Sequence, residues 1–245
     1  MRERLWVALD VETLKEADGL LERLTGLPER IGAKIGSQLF TAAGPAAVET
    51  ALKRGFAVFL DLKYHDIPNT VAGAVREATR IGVTMLNVHA PGGAAMMRAA
   101  AEAATKAATD FGVTRPICIA VTVLTSLDRK GLADIGVTGN VDAHVLRLAD
   151  LAREAGLDGC VASPQEIPLL RRALGPKWVI VTPGIRAEAP GSHGTTAIPK
   201  DDQARIATAS AAIRAGADAI VVGRPITAAP DPHAAAAAIL NDIGR

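Results

Sequence analysis

An excess of charge of either sign is missing from this sequence. Its 27 Lys and Arg residues face 26 Asp and Glu residues, so the formal net charge is +1 at neutral pH. A protein that binds nucleic acid or an anionic membrane usually carries a clustered basic surface, whereas the basic residues here are spread along the chain. We therefore predict no nucleic-acid partner and no membrane partner, and any basic site must be local.

Cysteine is also scarce. The two cysteines, Cys118 and Cys160, lie far apart within apolar segments and form neither a CxxC motif nor a Cys/His cluster. No spacing of His, Cys, Asp or Glu is typical of a zinc or calcium site. We interpret both cysteines as buried free thiols and predict no metal site.

A long apolar run is missing as well. The first residues, MRERLWVALD, begin with charges and reach Asp10 after a short apolar run, which fits neither a signal peptide nor a membrane span. No linker, charge block or long tail divides the chain. The composition, 49% apolar and 22% charged, is typical of a globular protein with ample core. We therefore predict a cytoplasmic protein with a single domain over residues 1–245.

What the sequence does contain is an alternation of short apolar runs with segments of helical spacing. Eight runs have the character of buried strands: 5-LWVALD, 31-IGAKIG, 57-AVFLDLK, 85-MLNVHA, 117-ICIAVTVL, 159-GCVAS, 179-VIVTPG and 219-AIVVGR. The intervening segments predict helices over 13–24, 44–54, 70–81, 92–108, 141–155, 164–174, 201–215 and 232–243. Two similar turns, 155-AGLDG and 215-AGADA, each place a glycine suited to a helix C-cap before a strand, Gly156 and Gly216.

This alternation predicts an α/β fold with parallel strands joined by right-handed crossovers. Eight such units close a (β/α)₈ TIM barrel, and near-continuous apolar strands agree with a sheet that is covered on both faces. A doubly wound open sheet is the alternative fold.

Polar residues collect at one end of the predicted strands. The residues that end or follow the strands are Asp10, Lys34, Asp61, Lys63, His89, Thr125, Ser163, Arg186, Gly223 and Arg224. In a barrel these positions converge on the carboxyl-terminal rim, where such folds build their sites. The opposite strand ends are comparatively plain, so the asymmetry predicts an active site at this rim.

The segment 59-FLDLKYHDIPNT-70 carries the densest charge of the rim. Alternation along a strand predicts that Asp61 and Lys63 point to the same side, with Asp66 in the following loop and Asn69 as a cap of the helix. Opposite charges at this distance favour the ionised forms, so we expect a protonated Lys63 and deprotonated aspartates. If Asp10 and Lys34 join them, the charges alternate in sign. The alternative is an ordinary turn with exposed charges.

The last two strands carry a different signal. The glycines of 182-TPGIR and 222-VGRP let backbone N–H groups approach a ligand, and each segment adds an arginine that can bind an oxyanion, Arg186 or Arg224. The loops after strands seven and eight are the recurrent phosphate site of such barrels. We therefore predict a phosphorylated substrate, with surface salt bridges as the alternative role of the arginines.

Taken together, these segments resemble the orotidine 5′-phosphate decarboxylase family almost end to end. The match runs from 7-VALD through 57-AVFLDLKYHDIPNT, 85-MLNVHA, 119-IAVTVLTS, 157-LDGCVASPQE and 181-VTPGIR to 221-VVGRP, and D-x-K-x-x-D-I-P-N-T is a specific pattern. The resemblance implies a TIM barrel that decarboxylates orotidine 5′-phosphate to UMP in pyrimidine biosynthesis. It also implies a homodimer with shared active sites, and no cofactor or metal.

The resemblance assigns a role to each matching residue. Lys63 is implied to be the proton donor to C6 of the pyrimidine, flanked by Asp61 and Asp66, with Lys34 held to Asp61. Three residues are implied to reach into the partner subunit's site: Asp66, Ile67 and Thr70. Of the remaining substrate contacts, Asp10 and Lys34 are implied to bind the ribose, Thr125 the base, and Arg186, Gly223 and Arg224 the phosphate. His89 and Ser163 are rim positions whose roles stay open.

One segment departs from the family pattern. The family usually has a Gly-Asp-Gln run after the arginine of the seventh loop, and its glutamine bridges base and phosphate. This chain has 189-APGSHGTTAIPK, in which an ungapped count puts Thr195 at the glutamine position. Thr195 can reach the phosphate but is short for the base, and Ser192 and His193 are possible substitutes.

Two rival functions share part of the pattern. A sugar-phosphate decarboxylase or aldolase of the related barrels resembles this chain in D-x-K-x-x-D, uses Mg²⁺ and an enediolate, and lacks the I-P-N-T continuation. A non-catalytic phosphate-binding barrel is the other rival, and the retention of every acid-base residue argues against it.

Overall fold

The computed structural model describes residues 3–186 and 207–244, and of residue 186 it describes the backbone. Its eight long parallel strands close into a barrel in the order β1-β10-β7-β6-β5-β4-β3-β2. Each strand pairs in parallel with its neighbours, and helices connect one strand to the next. The predicted TIM barrel is therefore confirmed, and the open sheet is excluded.

All eight predicted runs are strands of this barrel: β1 (Leu5–Ala8), β2 (Gly32–Gly36), β3 (Ala57–Tyr64), β4 (Met85–His89), β5 (Ile117–Val121), β6 (Gly159–Val161), β7 (Val179–Thr182) and β10 (Ala219–Val222). Two short strands, β8 (Ile185–Arg186) and β9 (Ala207–Thr208), pair in parallel outside it. The helices are α1 (Leu14–Arg23), α2 (Ser37–Ala43), α3 (Pro45–Lys53), α4 (Pro68–Arg80), α5 (Gly93–Phe111), α6 (Arg129–Asp134), α7 (Val141–Glu154), α8 (Ile167–Leu174), α9 (Ala209–Ala215), α10 (Arg224–Thr227) and α11 (Pro232–Ile243), with a 3₁₀ turn at Ala90–Gly92.

Most predicted helices are confirmed to within a few residues, and the exceptions have local causes. Helices α2, α6 and α10 were not predicted, because 7, 6 and 4 residues are too few to show a helical period. The predicted helix over 201–215 begins only at Ala209, because Thr208 caps it by accepting a hydrogen bond from the Ala211 N–H at 3.2 Å. Residues 201–206 lie outside the described part of the chain.

Two apolar layers hold the barrel together. Inside it, Trp6 and Phe59 meet edge to face with ring centroids 6.0 Å apart. Gly32 makes room for this pair, because a Cβ there would lie 2.1 Å from the indole ring of Trp6. Outside it, strand residues such as Leu60 and Ile180 pack against the surrounding helices. The interior is therefore filled, and a substrate must bind at one end.

Two similar groups of hydrogen bonds, here called clamps, lie at the amino-terminal end of the barrel. Asp158 and Asp218 stand in the two turns whose likeness the sequence shows, after Gly156 (φ 86°) and Gly216 (φ 112°). Each aspartate accepts one hydrogen bond from an arginine and one from a backbone N–H of the neighbouring strand. The donors lie at 2.7–2.8 Å and are Arg115 and Cys118 for Asp158, and Arg171 and Ile180 for Asp218.

Both cysteines are buried and free, as predicted. Burial raises the pKa of Cys118 to about 12, and that of Cys160 to about 12 as well. Such thiols stay protonated at neutral pH and are poor nucleophiles. Among residues 3–186 and 207–244, no helix is long and apolar enough to cross a membrane.

Candidate active site

Four side chains of alternating charge form a chain at the carboxyl-terminal end of strands β1 to β3. Lys34 Nζ donates to Oδ1 of Asp10 at 3.0 Å and lies 3.3 Å from Oδ2 of Asp61. Lys63 Nζ donates to the other oxygen of Asp61, Oδ1, at 2.7 Å. The predicted alternation of sign is therefore present as direct contacts.

The inner members of this chain are shielded from solvent and the outer members reach it. The side chains of Lys34 and Asp61 are 9% and 12% exposed, whereas those of Lys63 and Asp10 are 36% and 57% exposed. The register of β2 and β3 explains the contact between Lys34 and Asp61, because Gly36, two residues after Lys34, lies opposite Asp61. The arrangement gives a buried ion pair with one ammonium and one carboxylate presented to the mouth of the barrel.

The electrostatics of the inner pair favour charge in spite of burial. Burial alone raises the pKa of Asp61, but Lys34 and Lys63, with hydrogen bonds from Lys63 and Asn87, outweigh it and hold this pKa below its usual value. Burial alone lowers the pKa of Lys34, but Asp61 and Asp10 outweigh it and raise this pKa. The inner pair is therefore ionised at neutral pH, as expected for Asp61 from the sequence.

A glycine leaves the space that this chain of charges occupies. A Cβ at Gly36 would lie 3.0 Å from Oδ1 of Asp10 and 3.0 Å from Nζ of Lys34. Contacts of that length are closer than ordinary van der Waals distance, so a side chain at this position would push the two charged groups.

Lys63 and Asp61 meet as predicted, but not through regular strand alternation. The register of β3 and β4 shifts between Leu60 and Tyr64, and Lys63 has a positive φ of 53°. Sequence reasoning missed Asn87, which is fully buried and donates from Nδ2 to Oδ1 of Asp61 at 2.7 Å. The signal that could have found it is one polar residue in the middle of 85-MLNVH.

The loop after β3 turns outwards, and the structure does not bring Asp66 to Lys63 within one chain. Residues 65–70 are all exposed, and Oδ1 of Asp66 accepts from the N–H of Ile67 at 2.6 Å. Helix α4 begins at Pro68 with Ile67 as its N-cap, which corrects the prediction that Asn69 caps it. The reason is that proline, with a fixed φ and no N–H, suits the first helical position. Thr70 therefore lies in the first turn of α4.

Two further rim residues, His89 and Ser163, lie at or just after the ends of β4 and β6. His89 ends β4, and its ring centroid is 5.5 Å from that of His65. The pKa of His89 is lowered by burial, then by His65 and Lys63, against a smaller opposing effect of Asp61. Ser163 is fully buried; its N–H donates to Glu166 Oε2 at 2.8 Å, and its Oγ has no hydrogen-bond partner among the described residues.

Of the predicted base and phosphate residues, Thr125, Gly223 and Arg224 are described, and they lie at the same end of the barrel. Thr125 stands in the turn after β5, half-buried. Gly223 follows β10 and is the N-cap of α10, whose first residue is the exposed Arg224. Arg186 ends β8, and its side chain lies outside the described part of the structure, as do Ser192, His193 and Thr195.

Within residues 3–186 and 207–244, no group of three or more His, Cys, Asp and Glu residues is arranged to hold a metal ion. The acidic groups that do face the rim, Asp10 and Asp61, are both bonded to Lys34. Ammonium groups thus occupy the positions beside these carboxylates.

Comparisons with known proteins identify the family. Residues 3–239 match the family model described as Orotidine 5'-phosphate decarboxylase / HUMPS family. The chain is 53% identical over 243 residues to the orotidine 5′-phosphate decarboxylase of Moorella thermoacetica, covering 99% of this chain and 92% of that protein. The corresponding protein of Pelobacter propionicus is 49% identical over 244 residues, covering 99% and 95%.

Among solved structures, that of the orotidine 5′-phosphate decarboxylase from Lactobacillus acidophilus has a TM-score of 0.85 and 36% identity, and covers 99% of this chain and 100% of that one. The shared barrel and the end-to-end sequence match lead to the same assignment as the D-x-K-x-x-D-I-P-N-T segment. The chain belongs to the orotidine 5′-phosphate decarboxylase / HUMPS family.

Proposed function

We propose that this protein decarboxylates orotidine 5′-phosphate to UMP in pyrimidine biosynthesis, with Lys63 as the proton donor. The observation that carries the proposal is the chain of alternating charges at the rim, which ends in the ammonium of Lys63, 2.7 Å from Asp61. Its 36% exposed side chain lies at the mouth of the barrel, where a substrate can reach it and solvent can return a proton to it. The relatives at 53% and 49% identity are both named orotidine 5′-phosphate decarboxylase, which supports this activity.

The reaction breaks the bond between C6 of the pyrimidine and its carboxylate. The electron pair of that bond stays on C6, and CO₂ leaves. A fixed ammonium at Lys63 stabilises the developing charge, and its proton then forms the new C6–H bond. Lys63 regains a proton from solvent before the next turnover, so the step needs no redox partner.

Asp61 and Lys34 are proposed to keep this ammonium fixed and charged. Hydrogen bonds that are already in place cost no reorganisation at the moment of reaction, which is the usual source of electrostatic catalysis. Lys34 neutralises one oxygen of Asp61 and leaves the other to Lys63. A substrate carboxylate that is pressed against Asp61 would also be repelled, so its loss would be favoured.

Other rim residues are proposed to bind the rest of the substrate. Asp10 and Lys34 are assigned to the ribose hydroxyls, and the 57% exposure of the Asp10 side chain agrees with a surface role. The remaining assignments are Thr125 to the base, and Arg186, Gly223, Arg224 and Thr195 to the phosphate. Arginine binds phosphate oxygens in a bidentate manner. The binding energy from this remote phosphate can lower the barrier at the reacting centre.

A homodimer with shared active sites is part of the proposal. Its support is the exposed run over residues 65–70, in which Ile67 is 66% exposed although it is a large apolar residue. A partner subunit that covers this run would receive Asp66, Ile67 and Thr70 in its own site. The proposed partners are thus the substrate and a second copy of the chain, in the cytoplasm, without nucleic acid or membrane.

The test is an absorbance assay for the conversion of orotidine 5′-phosphate, with wild-type protein, Lys63→Ala and the control Lys106→Ala. Lys106 makes an exposed ion pair with Asp110 on α5 and has no contact with the rim. We expect Lys63→Ala to lose on the order of 10²-fold or more in kcat, as removal of an electrostatic group does. An inactive wild type, or equal activity of wild type and Lys63→Ala, overturns the proposal. A magnesium-dependent sugar-phosphate enzyme would instead lose its activity in EDTA.

A further inference from the structure

One polar side chain beside the chain of charges has no part in the reaction described above. Asn87 lies in the middle of β4 and is fully buried. Its Nδ2 donates to Oδ1 of Asp61 at 2.7 Å, and its Oδ1 accepts from the backbone N–H of Lys63 at 2.8 Å. We propose that Asn87 is a positioning residue, which sets the place of the Lys63 ammonium and the orientation of the Asp61 carboxylate. The kinetic side of this inference rests on the proposed function, and its structural side does not.

The pairing of β3 with β4 is irregular. Around Asn87, three residues of β3 stand opposite one residue of β4. The register pairs that enclose them are Leu60 with Leu86 and Tyr64 with Val88. Such a bulge leaves backbone groups of the longer strand without a ladder partner. Because the N–H of Lys63 lies within this bulge, the side chain of Asn87 serves as its acceptor.

The backbone conformation of Lys63 is unusual for a residue with a side chain. It is the one non-glycine residue with a positive φ, 53°, in the described part of the chain. Residues other than glycine rarely adopt a positive φ, because the Cβ atom is crowded there. Such a conformation persists only where contacts with the surrounding structure hold it. The hydrogen bond to Asn87 acts on the backbone of the residue whose ammonium must meet the substrate. Loss of this bond therefore allows the backbone to relax and the ammonium to move.

The two hydrogen bonds of Asn87 need the two opposite ends of an amide group. The carboxylate of Asp61 only accepts, so the NH₂ group must face it, whereas the backbone N–H of Lys63 only donates, so the carbonyl oxygen must face that. An ionised aspartate at this position would keep the acceptor and lose the donor. An alanine would lose both. The requirement explains why this buried strand carries asparagine.

The first test compares Asn87→Ala and Asn87→Asp with the control Thr79→Val. Thr79 is also fully buried and donates one hydrogen bond, to the Val75 carbonyl in α4, away from the charges. A displacement of about 1 Å in a catalytic group can cost on the order of 10²-fold. We expect a loss of that order in kcat for Asn87→Ala, with KM within about threefold, and no loss for Thr79→Val. A folded Asn87→Ala with wild-type kcat overturns the proposal.

The Asn87→Asp variant keeps the shape of the side chain and separates positioning from packing. The new carboxyl group on β4 faces two charged residues of β3, Asp61 and Lys63. Lys34 lies beyond Asp61, and His89 lies on β4 itself. A neighbouring carboxylate and burial both raise the pKa of a carboxyl group. Once protonated, this carboxyl again donates to Asp61. We therefore expect the kcat of the variant, relative to wild type, to rise about tenfold between about pH 8 and pH 5. Parallel pH profiles contradict the assignment.

A second test is independent of turnover. Hydrogen exchange of the Lys63 backbone amide, followed by ¹⁵N NMR, should be at least about tenfold faster in Asn87→Ala than in wild type, because the amide loses its acceptor. The amide of Leu60, in the regular part of β3, serves as the internal control. If the wild type fails to convert orotidine 5′-phosphate but Lys63 exchange responds, the proposed function fails and the anchoring by Asn87 stands. If the exchange rate of the Lys63 amide is the same in Asn87→Ala and wild type, Asn87 does not anchor the Lys63 backbone.

Discussion

Lys34 and Asp61 form a buried ion pair beneath the rim of the barrel, with 3.3 Å between Nζ of Lys34 and Oδ2 of Asp61. Moving two charges out of water costs several kcal/mol per ion unless further partners compensate for the lost hydration. Asp10 gives Lys34 a second carboxylate, and Lys63 and Asn87 both donate to Asp61. The pair is therefore stable as part of a network, and a change to one member should be felt by the others.

The charge of Asp61 should appear in the acid limb of the stability curve. Its pKa is lowered in the folded state, so its contribution is complete above the unfolded pKa of about 4 and is lost as the pH falls through the folded value. In Asp61→Asn this titration is absent. We expect the unfolding free energy, from urea titrations between about pH 2 and pH 5, to fall less steeply with decreasing pH than in wild type. Parallel acid limbs would show that Asp61 is not held ionised.

The space left by Gly36 should matter for activity more than for folding. Its φ is −92°, which any residue adopts, so Gly36→Ala tests the space and not the backbone. The added methyl would lie 3.0 Å from both Asp10 and Lys34 and should displace them. We expect about a tenfold loss in kcat/KM, by the same sensitivity to small displacements.

The matched control for Gly36→Ala is Gly73→Ala. Gly73 lies in α4, and a Cβ there has no atom within 4 Å. Alanine favours a helix over glycine by about 0.5–1 kcal/mol, so this variant should unfold at a higher temperature with unchanged activity. Equal kcat/KM for wild type and Gly36→Ala would show that the ion chain tolerates the methyl group.

The clamps at the amino-terminal end of the barrel should affect stability and leave catalysis intact. Asp218→Ala removes the acceptor of the Ile180 N–H and one acceptor of the Arg171 guanidinium, which also donates to backbone carbonyls such as that of Gly216, at the end of the barrel opposite the rim. Hydrogen bonds to charged groups contribute about 1.5–3 kcal/mol each. Because the Asp218 side chain is 35% exposed, solvent screening reduces the sum of the two, and we expect a loss of about 2–4 kcal/mol in the free energy of unfolding. The kcat of the folded protein should match wild type.

Two further variants make this expectation specific. Asp158→Ala removes the equivalent acceptor from the other clamp and should cost a similar amount. Asp134→Ala removes an exposed ion pair with Lys130 and should cost less than about 1 kcal/mol. Similar losses for Asp218→Ala and Asp134→Ala would contradict the structural role of the clamps.

The sequence predicts the barrel well because its strands are locally encoded. A strand such as 117-ICIAV is a near-continuous apolar run, and eight such runs with helical segments between them leave few topologies. Short helices such as Arg129–Asp134 lack enough residues to show a period. The residues at the strand ends predict the position of the site, because parallel strands bring their carboxyl ends together at one rim of the barrel.

The contacts of Lys63 could not be predicted in full, because they depend on a long-range irregularity. Alternation along β3 predicts the meeting of Lys63 with Asp61 but not the bulge that permits it. Asn87 lies 24 residues further along the chain and acts through a backbone group, which leaves no sequence spacing to recognise. The predicted role of Asp66 depends on a second chain, so the structure of a single chain does not test it.

The proposed sharing of active sites between subunits can be tested by mixing two inactive variants. If Asp66 completes the partner's site, Lys63→Ala and Asp66→Ala homodimers are each impaired in both sites. A mixed dimer has one site with both substitutions and one site with neither. Random exchange of subunits should therefore restore about a quarter of the wild-type activity, since half of the symmetric dimers are mixed and each has one intact site.

The control for subunit mixing is a pair of variants whose altered residues belong to the site of their own chain under either arrangement, so that a mixed dimer carries one change in each site. Lys63→Ala mixed with Asp61→Asn should restore nothing, because both residues belong to one chain and contact each other. If Asp66 serves the site of its own chain, the mixture of Lys63→Ala and Asp66→Ala behaves in the same way and stays inactive. The activity of that mixture therefore decides which site the exposed loop over residues 65–70 completes, because no rearrangement within a single chain can restore it.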